Sequence, residues 1–61
     1  MPSDETRRLL KTLGVAVTAY EDAVRGKSAM EAIVRSEAEA RARLEEVTAL
    51  IERLRAEATA S

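Results

Sequence analysis

The sequence predicts an all-α fold, an antiparallel helical hairpin that dimerises into a four-helix bundle, and three observations lead there. Ala, Leu, Glu and Arg dominate the 61 residues, Phe and Trp are absent, and the one proline is Pro2, so strong helix formers fill almost the whole length. Apolar residues recur at alternating spacings of three and four, the repeat of a helix packed along a seam. A single break, Gly26-Lys27-Ser28, separates two such stretches, and a connection that short leaves the helices antiparallel.

The chain reads as one domain, 1–61, with a helix over 4–25, a turn at 26–28 and a helix over 29–58. Ser3 is placed to cap the first helix, and Asp4 and Glu5 follow where the helix dipole favours negative charge. Gly26 is expected to close that helix in the left-handed conformation, with Arg25 and Lys27 near the last carbonyls. Ser28-Ala29-Met30-Glu31 then matches a capping box, in which Ser28 accepts from the Glu31 N–H while the Glu31 carboxylate reaches back. Five acid-to-base pairs four residues apart support helicity: Asp4–Arg8, Glu21–Arg25, Glu31–Arg35, Glu37–Arg41 and Glu39–Arg43.

In the first helix Leu10, Leu13, Val17, Tyr20 and Val24 form the expected seam, and Leu9, Ala16 and Ala23 run beside it. The stripe is wider than two helices need, as in a helix that touches two neighbours. The second helix carries Met30, Ile33, Ala40, Leu44, Val47, Ile51, Leu54 and Ala58, with Glu37 its one polar interruption and Leu50 widening it near the end. Folding about Gly26 pairs Val24 with Met30, Tyr20 with Ile33, Leu13 with Ala40 and Leu10 with Leu44. Gly14 is expected at a close crossing against the Ala38/Ala40/Ala42 segment, since an interior glycine costs a helix about 1 kcal/mol relative to alanine. The second helix outruns the first, which is expected to leave Leu50, Ile51 and Leu54 in water unless a partner covers them. Leu44, Val47, Leu50, Ile51 and Leu54 are therefore the expected partner-binding residues.

Composition narrows the function. A chain of this length has a marginal core, and small scaffolds are usually completed by disulfides, a metal, regular helix packing or oligomerisation. With no Cys and no His, disulfides, thiolate sites and the commonest metal ligand drop out, together with the usual acid/base catalyst. Glu37 lacks the histidines that complete bundle metal sites, so a flank position paired with Arg41 or a neighbouring chain is expected. Tyr20, the sole aromatic, reads as a core ring, and Gly14 and Gly26 are too few for a phosphate loop. The reading is of no enzyme, no catalytic residue, no cofactor, no metal and no small-molecule substrate.

Ten basic and eleven acidic residues leave a formal net charge of −1, unlike the basic excess of a phosphate binder. The clusters Arg7/Arg8/Lys11 and Arg41/Arg43 are interleaved with acids and read as solvated helix face. The longest uncharged stretch, Thr12 to Tyr20, is far short of a membrane span, and Asp4 and Glu5 spoil a secretory signal, so a cytoplasmic protein is expected. The functional expectation is a protein–protein interaction or oligomerisation module, a small accessory or adaptor subunit, acting as a homodimer or on a larger protein. The alternative is a small RNA- or DNA-binding regulator acting as a dimer. In size and hairpin arrangement the chain resembles the Rop-like RNA-binding hairpins that dimerise into four-helix bundles. That resemblance is architectural, with no shared residue motif, and implies fold rather than function.

Overall fold

The computed structural model describes residues 2–60. Helix α1 (Asp4–Arg25) and helix α2 (Met30–Ala60) pack against each other as a hairpin. Ser3 starts α1 as its sequence position requires: its backbone is extended, and its Oγ accepts from the Thr6 N–H at 3.1 Å. Asp4 and Glu5 occupy the first turn.

The turn departs from expectation at both ends. Gly26 is not left-handed (φ −80°, ψ 1°); Lys27 is, at φ 55°. The Lys27 N–H donates to Val24 O at 3.3 Å and the Ser28 N–H to Ala23 O at 3.0 Å, the paired bonds of a Schellman closure. In that pattern the left-handed position is the residue just before the outer donor, which is Lys27. Gly26 serves for space instead: a Cβ built there would lie 2.8 Å from the Asp22 carbonyl oxygen.

Because the Ser28 N–H is committed to closing α1, α2 begins one residue later than the capping-box pattern implies. Ala29 O accepts from Ala32 N–H (2.9 Å) and Ile33 N–H (3.1 Å), so Ala29 holds the cap position without a side-chain acceptor to offer. Among the described residues no hydrogen bond joins Ser28 Oγ to Glu31, whose carboxylate accepts from Arg35 Nη2 at 2.9 Å. At its other end α2 continues to Ala60, two residues past the expected end.

Four of the five expected ion pairs form: Glu21–Arg25, Glu31–Arg35, Glu37–Arg41 and, more loosely at 3.7 Å, Glu39–Arg43. Asp4 instead pairs with Arg7, one residue short of Arg8, at 2.6 Å. Across the hairpin Arg53 Nη2 donates to Glu5 Oε2 at 2.7 Å, which ties the start of α1 to the last third of α2.

The interhelical seam keeps one of the two expected rows on each helix, that of Leu13 and Tyr20 and that of Ile33, Ala40 and Val47, and exchanges the other for its neighbour. On α1 the residues covered by α2 are Leu9, Leu13, Ala16, Tyr20 and Ala23, while Leu10, Val17 and Val24 turn outward. On α2 they are Ile33, Ser36, Ala40, Arg43, Val47 and Leu50, while Leu44 and Ile51 turn outward. Each stripe is two heptad rows wide, and one neighbouring helix can cover only part of it. The rows containing Ala16 and Ala40 are the ones that let the backbones come close, and both alanines are buried.

Gly14 takes no part in that approach. A Cβ there would meet nothing within 4 Å, so the expected close crossing at Gly14 is corrected, and the small residues at the contact are Ala16 and Ala40. The physical reason is rotation: the seam passes through positions 9, 13, 16 and 20, which turns position 14 away from α2.

The resulting core is slight. Only Ala16, Ala40 and Leu50 are buried among the described residues, and the Cα atoms span 49 × 19 × 12 Å, a slab one helix thick. Domains normally bury apolar faces between two layers, and this hairpin supplies one. No described helix is long and apolar enough to cross a membrane.

Candidate interaction surface

The outward rows converge on one side of the slab. Leu10, Val17 and Val24 are seven residues apart along α1, and Met30, Glu37, Leu44 and Ile51 are seven apart along α2. Val17, Glu37 and Leu44 border the same groove of about 260 Å³, floored by Leu13, Tyr20 and Ala40. Of the nine large apolar side chains left exposed among the described residues, six belong to these rows: Leu10, Val17, Val24, Met30, Leu44 and Ile51. Val15 and Val34 are scattered elsewhere, which is ordinary for a surface, whereas two aligned rows form a continuous apolar face.

The opposite side is built differently. Its groove, about 360 Å³, has Ala16 and Ala19 within it and Lys11, Glu39 and Arg43 at its margins. Arg43 lies near Glu39 and Glu46 at 3.7 and 3.6 Å, and its buried Nε has no hydrogen-bond partner. The two faces therefore differ in side-chain size: the first carries the aligned large aliphatic residues, the second the smaller Val15, Ala16 and Ala19 flanked by charged side chains.

The five expected partner-binding residues divide. Leu44 (52% exposed) and Ile51 (60%) lie on the apolar face, and Val47 is half-buried in the seam. Leu50, at 7% exposure, is covered by its own chain, so the expectation that it would be left in water is corrected. It belongs to the row of Ser36 and Arg43, which faces α1. Leu54 is exposed for another reason: it continues the inner row of Ile33, Ala40 and Val47, but α1 has already ended, as the Glu5–Arg53 pair marks. Leu10, Val17 and Val24 belong to the exposed face and were absent from the expected set. The heptad row was visible in the sequence, but which of two adjacent rows would face α2 was not.

Glu37 holds Arg41 through both Nε (3.0 Å) and Nη2 (2.9 Å), so the one charged side chain in the outward rows is already neutralised. Tyr20 is half-buried at the groove. Of the basic clusters, Arg7 is held by Asp4 and Arg41 by Glu37, leaving Arg8 and Lys11 without an acidic partner among the described residues. Among those residues no three acidic side chains gather as a metal site would need. No family model, curated protein or solved structure matches this chain.

Proposed function

We propose that the chain is a non-enzymatic protein–protein interaction module that works by self-association, its apolar face closing against another hairpin to make a four-helix bundle. The observation that carries this reading is surface. A folded monomer of 6.7 kDa is expected to expose about 3,900 Å². The hairpin exposes 4943 Å². The excess, roughly 1,000 Å², matches the roughly 800 Å² that each partner contributes to a standard interface. Energetics point the same way, because a core of two alanines and one leucine is far too little to offset the ordering of some sixty residues. Covering Leu10, Val17, Val24, Leu44 and Ile51 would supply the missing second layer.

Nucleic-acid binding draws less support, since three of the five cationic residues considered for it, Arg7, Arg41 and Arg43, are engaged by neighbouring carboxylates. Sedimentation equilibrium tests the proposal. The parent is expected to be dimeric at tens of micromolar, with a melting temperature that rises with concentration. Val17→Lys with Leu44→Lys should give a monomer or an unfolded chain. A parent that stays monomeric and fully helical at high micromolar concentration would refute self-association.

A further inference from the structure

Resting on that reading, we infer how the second copy sits: face to face with the same polarity, its turn at the same end, about a two-fold axis that runs parallel to the helices. Three features lead to this arrangement: the heights of the exposed apolar residues, the direction they take at the end of α2, and the place of the one charged pair on the face.

Height comes first. Counted back from Arg25, where α1 ends, Val24, Val17 and Leu10 stand at one, eight and fifteen residues. Counted forward from Met30, where α2 begins, Met30 itself, Glu37 and Leu44 stand at zero, seven and fourteen. The exposed face is thus a ladder of three rungs, Val24 with Met30, Val17 with Glu37 and Leu10 with Leu44, each level to within one residue, about 1.5 Å. A two-fold axis parallel to the helices keeps every residue at its own height and sets α1 of one copy opposite α2 of the other. Val24 then faces Met30 of the second copy, Val17 faces Glu37 and Leu10 faces Leu44, each contact made twice. No perpendicular axis serves both helices in this way. The α1 row is centred on Val17, eight residues from the turn, whereas the α2 row from Met30 to Ile51 is centred between Ala40 and Arg41, ten to eleven residues from it.

The second feature is the end of α2. Ile51 is twenty-one residues from Met30 and so level with Asp4, the first residue of α1; the nine residues after it, about 13 Å of helix, run past α1. Here Ile51 and Leu54 are 60% and 51% exposed. At 3.6 residues per turn they lie about 60° apart around α2, and Ala58 falls between them. Ile51 continues the row that faces the second copy, and Leu54 continues the row that faces α1. The direction between them therefore points to the middle of the bundle, where the diagonal neighbour is α2 of the second copy. Under the parallel axis both overhangs leave the bundle at the same end, and Ile51, Leu54 and Ala58, spaced by three and four, close them as a short two-stranded coil. Under a perpendicular axis the overhangs part to opposite ends and neither meets the other.

The third is charge. Glu37 is the only charged member of either outward row, and the residue opposite it is Val17 of the second copy. Because Arg41, itself 74% exposed, already holds its carboxylate, what is covered is a hydrogen-bonded pair and not a lone charge. The two such pairs of a dimer sit on diagonal helices, not on adjacent ones. A net charge of −1 per chain offers little long-range repulsion between copies.

The chain has no cysteine, so single thiols report the arrangement directly. With a nitroxide on Thr59→Cys, an exposed site beside the Ile51, Leu54 and Ala58 seam, pulsed electron resonance should give a label separation below about 25 Å, the width of two helices. A perpendicular axis at or short of residue 45, the midpoint of α2, gives more than about 40 Å, twice the fourteen-residue rise to Thr59. Under mild oxidation Leu54→Cys should link to itself, whereas the same perpendicular axes hold its two thiols at least about 25 Å apart. Leu10→Cys mixed with Leu44→Cys should form a mixed disulfide. A dimeric parent, established by sedimentation, whose labels lie beyond about 40 Å would overturn the shared polarity while leaving self-association standing. So would a dimeric Leu54→Cys protein that does not cross-link. A monomeric parent would instead remove the self-association on which the inference rests.

Discussion

Replacing Lys27 separates the backbone cost of the turn from everything else that lysine contributes. Its φ of 55° places an L-residue in the left-handed region, which costs roughly 1–2 kcal/mol relative to right-handed backbone. Glycine avoids that cost but gives up roughly 0.5–1 kcal/mol of extra chain entropy on folding. Both Lys27→Gly and Lys27→Ala remove the same positive charge near the last carbonyls of α1, so that loss cancels between them. The glycine variant should therefore be more stable than the alanine variant by about 1 kcal/mol, a difference of about 4–8 °C in melting temperature for so small a chain. Far-UV circular dichroism melts, all at one protein concentration, measure it. Gly26→Ala supplies the opposite sign. Its torsions suit alanine, but the Cβ would lie 2.8 Å from the Asp22 oxygen that accepts from the Gly26 N–H itself. Relief of such a contact must open the last turn of α1, at a cost of about 1–3 kcal/mol. Equal melting temperatures for the two Lys27 variants, or a higher one for Gly26→Ala, would show that the left-handed residue is elsewhere.

Three further substitutions follow from the same geometry. Gly14→Ala should raise stability by about 1 kcal/mol, because its Cβ meets nothing and only helix propensity changes; a lower urea midpoint would place Gly14 against a neighbour after all. Ser28→Ala should shift the midpoint by less than about 0.5 kcal/mol, whereas Ala29→Ser, which gives the cap position an acceptor, should gain about 0.5–2 kcal/mol. The reverse order would restore the capping box to Ser28.

The elements and their antiparallel path were legible in the sequence because they depend on local terms. Helix propensity, the Ser3 cap, the acid-to-base spacing and one short break act within a few residues of one another. Even the turn's location was readable, although its hydrogen-bond register was not. Whether Gly26 or Lys27 goes left-handed depends on which carbonyl of α1 the Ser28 N–H reaches, a choice separated by one residue and a small energy.

Which apolar row each helix would bury was a tertiary decision. Residues 9, 16 and 23 (Leu, Ala, Ala) and residues 10, 17 and 24 (Leu, Val, Val) are adjacent rows; hydrophobic periodicity favours the second, and the hairpin buries the first. The choice comes from packing: Ala16 and Ala40 let the backbones approach and bring Leu50 under α1, and the larger side chains are left facing outward. The sequence by itself determined that the stripes were too wide for one neighbour. Only the packed hairpin decided that the surplus lies on a single face, because a rotation of each helix by one row moves Leu10, Val17, Val24, Leu44 and Ile51 together to the same side.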